Sequence, residues 1–202
     1  VLMGGVAASI GLFMIGIYFV WQQGVGIVPV GLAGLLLIAT YTSWINRHPF
    51  LCLIAPGLGF GFLMAAGTQF VLQGYYAQQA LIVASVPFLL VNNLLLLNQF
   101  PDIEADRKAG RNHFPIAYGV RRSSQVYGSF VLMTIAVIVV SVVQGYLPVL
   151  SLIALIPMPL ALFSLSGAFK YGADIVRHPQ YLAANVVVTL LTTLLLGISL
   201  IV

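Results

Sequence analysis

The chain has 202 residues, 61% of them apolar and 6% charged, with eight Lys and Arg, four Asp and Glu, and one Cys. Soluble domains carry roughly a quarter charged residues; the mean hydropathy of +1.08 and recurrent long apolar runs exclude that class and predict an all-α, polytopic transmembrane helical bundle. The single Cys excludes an internal disulfide and a Cys metal cluster, and the net charge of +4 is assigned to loops at one membrane face rather than to nucleic acid.

Seven spans are predicted in chain order, at about 1–21, 26–45, 50–72, 80–99, 124–144, 148–168 and 181–202. The first starts at Val1 with neither the basic stretch nor the cleavage site of a secretory signal. In the second, Tyr41 and Thr42 precede a polar break that carries Arg47. The third opens near Cys52, expected as an apolar packing residue. It continues through Gly57, Gly59, Gly61, Ala65, Ala66 and Gly67, small residues that suit close helix packing in lipid. Pro56, Pro87, Pro157 and Pro159 lie in or near spans, where kinks are tolerated if neighbours recover the freed backbone groups. Asn92 and Asn93 in the fourth span are expected to face the bundle interior, with an interhelical hydrogen bond and a substrate role both open. A loop from about 100 to 123 follows, and the last connection holds Lys170, Asp174 and Arg177, the latter two spaced as an i,i+3 pair.

The connections near 22–25, 73–79 and 145–147 contain no Lys or Arg. The alternate ones contain all eight: Arg47 in one, Arg107, Lys108, Arg111, Arg121 and Arg122 in the next, Lys170 and Arg177 in the last. Seven spans put these three on one side, which the positive-inside rule makes cytoplasmic.

Three of the four acidic residues fall in the long loop, where Asn98, Asp102 and Asp106 stand four apart. That spacing predicts a single helical face, with Pro101 at the first position of a short helix and Gly110 at its C-terminal end. Two carboxylates so placed repel unless a cation sits between them, and hard oxygen ligands favour Mg²⁺. Arg107, Lys108 and Arg111 follow, and Arg is well matched to phosphate oxygens. The expected ligand is a magnesium-bridged diphosphate with an apolar tail lying among the helices. The competing reading is a solvated loop of mixed charge; the scarcity of acids elsewhere favours the metal site. His113 is expected as a loop histidine, because its neighbours supply no orienting carboxylate at a fixed spacing.

The stretch NQFPDIEADRKAGRNHFPIAYG, residues 98–119, resembles the second aspartate-rich motif of the UbiA superfamily of intramembrane prenyltransferases. It is most similar to the branch that prenylates dihydroxynaphthoate in menaquinone synthesis. The shared pattern is carried by Asn98, Asp102, Asp106, Arg107, Gly110, Arg111 and Gly119; Tyr41-Thr42 and the run Gly57–Gly67 also resemble that branch. Pro101 stands where the family usually has a polar or basic residue, and His113-Phe114 replaces a common Thr-Leu.

The resemblance implies a fold of nine transmembrane helices around a central cavity, with a first aspartate-rich motif between the second and third. No such motif is present, so the chain is expected to correspond to the family's third helix onward, with the partner motif upstream of Val1. The implied reaction moves a polyprenyl group from its diphosphate to an aromatic acceptor, with Mg²⁺, as in quinone biosynthesis. The implied setting is a bacterial or archaeal cell membrane with the active-site loops cytoplasmic. By the same resemblance Asp102 and Asp106 are catalytic and hold Mg²⁺, Asn98 supports the metal or diphosphate, and Arg111 contacts the diphosphate, as do Arg107 and Arg47 more weakly. For Tyr41 a contact with the acceptor or the developing cation and a place in the interfacial aromatic belt are both open. A membrane transporter or a non-catalytic membrane scaffold is the alternative; transporters concentrate ionisable groups at the bilayer midplane, whereas here they lie at one face.

Overall fold

The computed structural model describes residues Leu2 to Ile201. Among them the regular structure is helical throughout: α1 (Leu2–Gln23), α2 (Val28–Tyr41), α3 (Pro49–Gly57), α4 (Met64–Gln73), α5 (Gln78–Asn98), α6 (Ile103–Lys108), α7 (Phe114–Val143), α8 (Met158–Tyr171) and α9 (Pro179–Ser199). Six helical segments are long and apolar enough to cross a membrane, and Val25–Tyr41 is a shorter apolar one. Six of the seven expected spans thus reach crossing length, and the expected second one corresponds to the shorter apolar segment. The expectation about what precedes Val1 lies outside the described residues.

α5 is the centre, packed against α3, α7 and α9. Its interior face supplies Val86, Leu90, Leu96 and Leu97 to the main core, which α7 and α9 complete with Tyr127, Val131, Ile138, Val188 and Leu196. Lipid offers no hydrophobic drive between helices, so close contact and polar bonds must hold them together. Gly61 meets the backbone of α5 directly: a Cβ there would fall 2.6 Å from the Phe88 nitrogen.

Pro56 cannot continue the helical ladder. Beyond it the backbone runs as a π-helical stretch, Leu58–Leu63, between α3 and α4. The Gly57 N–H then donates to Asn92 Oδ1 at 2.7 Å. Asn93 Nδ2 donates to the Tyr127 carbonyl at 3.0 Å, and the Tyr127 hydroxyl to Asn185 Oδ1 at 2.9 Å. Both asparagines, left open between two roles by the sequence, are therefore interhelical ties.

The bundle has one charged and one uncharged end. At the first, the Asn112 N–H donates to the Asn46 carbonyl at 2.8 Å, joining the α2–α3 and α6–α7 connections. At the second, Gln23 Nε2 donates to the Val71 carbonyl at 2.7 Å and Gln79 Nε2 to the Tyr146 carbonyl at 3.0 Å. α1 and α2 bury little inside the bundle; Ile10, Phe13, Ile17, Leu36 and Ile38 all face outward, a surface suited to lipid. Asp174 and Arg177 approach to 3.9 Å with both side chains exposed, the weak surface pair that their spacing suggests.

Candidate active site

The segment that carries the acids departs from the single helix that its spacing predicts. α5 ends at Asn98, residues 99–102 turn, and α6 begins only at Ile103. Pro101 lies in that turn rather than at the first helical position. Pro101 has no N–H to offer the ladder and disfavours helical backbone at the residue before it, so α5 ends ahead of it; Phe100 and Ile103 on either side are buried. Asn98, Asp102 and Asp106 thus sit on three successive pieces of backbone. Asp102 still caps α6, its carbonyl accepting the Asp106 N–H at 2.8 Å, while its exposed carboxylate makes no capping bond.

Gly110 closes α6 at φ +77°. Its N–H donates to the Arg107 carbonyl, and the Arg111 N–H donates to the Asp106 carbonyl at 3.0 Å, the paired bonds of a Schellman turn that a left-handed glycine permits. The reversal brings Arg111 back over its own helix. Arg111 Nη1 lies 2.9 Å from Asp106 Oδ1, and His113 Nε2 lies 3.1 Å from Asp106 Oδ2. Asp106 is half-buried and its two oxygens each hold one donor.

His113 is buried, which the sequence alone did not indicate. Burial pushes its imidazole below its ordinary value, against the opposing pull of Asp106. The orienting carboxylate expected to be missing is Asp106, seven positions earlier. The connection ends at His113, earlier than the boundary at Ser123, because Phe114 and Pro115 are buried and start α7. Within α7, Gly119 adopts φ 79°, ψ 164°, so Phe114–Tyr118 is a separate turn joined at an angle to the long helix.

Of the remaining candidates, Asn98 is exposed at the end of α5. Arg107 is bound to Glu104 at 3.1 Å on the outer side of α6. Arg47 is exposed beside Asn46, whose carbonyl holds the α6–α7 connection. Tyr41 packs against Cys52 and its neighbours at the end of α2, and Gln99 Nε2 reaches the Cys52 sulfur at 3.6 Å. Tyr41 and Thr42 also line one end of an apolar cavity of about 560 Å³ between α2, α3 and the π-helical stretch, with Gly34, Gly59, Leu63 and Leu95 among its walls. Tyr41, Cys52 and Gln99 therefore connect this cavity to the acid-bearing turn.

A short acidic helix with a basic return at one membrane face, next to an apolar cavity of this size, is an arrangement for an anion carrying a hydrocarbon tail. The model of the UbiA prenyltransferase family matches residues 3–185. The chain belongs to the UbiA prenyltransferase family. No curated protein and no solved structure matches it. Membership makes it an integral, multi-pass membrane prenyltransferase at the family level, acting on a prenyl diphosphate in a lipid environment. Enzymes of the UbiA family generally depend on Mg²⁺. Among the described residues no group of three or more His, Cys, Asp or Glu is set to hold a metal ion. The donor set of Asp102 and Asp106 instead fits an ion that takes one or two carboxylates and completes its shell with water and substrate phosphate, as Mg²⁺ does.

Proposed function

We propose that the chain transfers a polyprenyl group from its diphosphate to an aromatic acceptor in a Mg²⁺-dependent reaction, as in quinone biosynthesis. The observation that carries this reading is the continuity from the cavity beside Tyr41, through Cys52 and Gln99, to the turn bearing Asp102 and Asp106. In it the tail occupies the apolar cavity and the diphosphate meets the charged end, which the excess of Lys and Arg makes cytoplasmic.

Asp102 and Asp106 would hold the metal, with Asn98 beside them at the end of α5. When bound, Mg²⁺ neutralises charge that builds on the departing diphosphate. Arg111 does the same through a guanidinium matched to phosphate oxygens. Its side chain is half-exposed and can turn from Asp106 toward the substrate. Arg107 and Arg47 stand further out on the same face. The bond from the first prenyl carbon to oxygen breaks, and its electron pair leaves with the diphosphate. A ring carbon of the acceptor then bonds to the prenyl carbon and loses its proton. The helices exclude water from the allylic cation in between, and the ring of Tyr41 offers it an aromatic face.

The test is purified protein in a bilayer, given Mg²⁺, a labelled prenyl diphosphate and a panel of aromatic acceptors. Labelled product that disappears on chelation supports the reading. Hydrolysis of the diphosphate, or movement of substrate across the bilayer, without transfer to any acceptor overturns it.

A further inference from the structure

His113 is 2% exposed at a membrane face where Asp102, Arg107, Lys108 and Arg111 are exposed. A carboxylate can only accept, so the bond to Asp106 Oδ2 puts a ring proton on Nε2. Nδ1 is buried and has no partner among the described residues. An unsatisfied buried nitrogen is a cost that an aliphatic residue of similar size would not bear. Packing alone therefore does not account for a histidine here.

The two donors on Asp106 also differ in kind. Arg111 is half-exposed on a long flexible stem. His113 is fixed: the residue before it is tied to Asn46 by the Asn112 bond, and the next two, Phe114 and Pro115, are buried. We infer that His113 is the positioning residue of Asp106: its Nε2–H pins Oδ2, sets the carboxylate's torsion, and leaves Oδ1 to the metal–diphosphate when Arg111 swings from Asp106 to phosphate. This rests on the reading of Asp106 as a metal ligand. Partners that orient a metal-binding side chain are typically worth about ten- to a hundredfold in metal affinity.

The full chain in lipid nanodiscs, with Mn²⁺ as the probe read by electron paramagnetic resonance, tests this. Mn²⁺ is bound alone and with inorganic diphosphate, beside the Mg²⁺ dependence of transfer. His113→Gln carries an N–H close to the position of Nε2, whereas His113→Asn has the same polarity but stops short. The Gln variant is expected to keep Mn²⁺ affinity near that of the parent. The Asn and Leu variants are expected to lose about ten- to a hundredfold in Mn²⁺ affinity and to need correspondingly more Mg²⁺. The Gln–Asn comparison suffices if His113→Leu does not fold. Equal affinities in the Gln and Asn variants overturn the inference. Asp106→Ala distinguishes its failure from that of the underlying reading: if Mn²⁺ binding survives that change, Asp106 is not a ligand; if binding is lost there but both His113 variants bind normally, only the role of His113 falls.

Discussion

Asp102 and Glu104 are two residues apart, both exposed, and expected to behave oppositely on substitution. Asp102 faces the turn after α5 and makes no capping bond, so Asp102→Ala should change stability by no more than about 0.5 kcal/mol. As a metal ligand its loss should lower transfer by about a hundredfold or more. Glu104→Gln removes only the pair with Arg107, whose partners are 74% and 55% exposed, and such pairs contribute between about 0 and 1 kcal/mol. Transfer should be unchanged. Initial rates and thermal unfolding of the two variants give the comparison, and equal losses of transfer would mean that the whole of α6, not Asp102, makes the site. The carboxylates were legible in the sequence because acids are so scarce. His113 was not, because its partner lies across a chain reversal that only the left-handed turn at Gly110 creates.

The elements show where periodicity stops being a guide. A spacing of four predicted one helix through Asn98, Asp102 and Asp106, yet Pro101, with no N–H and an unfavourable fit to helical backbone at the residue before it, ends the ladder there. Conversely, Pro56 marked a kink in the sequence, but its consequence, a Gly57 N–H caught by Asn92 on another helix, was beyond any reading of one segment. Gly119 is the clearest case in which a single residue sets an element. Its φ of 79° with ψ of 164° belongs to a region open in practice only to glycine, where other residues cost of order 1–3 kcal/mol. Nothing lies within 4 Å of a Cβ built there, so crowding plays no part. Gly119→Ala should therefore lower stability by about 1–3 kcal/mol, and transfer should fall with it, since the turn Phe114–Tyr118 anchors His113. Unfolding in detergent and turnover measured together check this; an unchanged unfolding temperature would show that the bend relaxes without cost.

At the scale of the whole molecule, the separation of charge between connections was the most reliable signal in the sequence, because each added or missing span would have scrambled it. The cavity beside Tyr41 was illegible for the opposite reason. Its walls come from separate helices, and residues such as Gly34, Leu37, Gly59 and Leu63 have the same apolar character as lipid-facing positions. The charge separation makes a prediction that does not depend on the chemistry. With the buried Cys52 changed to Ala, cysteines placed at exposed positions report the side they face. Lys108→Cys and Arg177→Cys should react with a membrane-impermeant maleimide only when the cytoplasmic face is accessible, as in inverted vesicles. Gln22→Cys, Tyr75→Cys and Gln144→Cys should react from the other side. Reaction of positions 75 and 108 from the same side would break the helical order itself. A clean exchange of the two groups would leave the bundle intact and remove only the cytoplasmic assignment of the site.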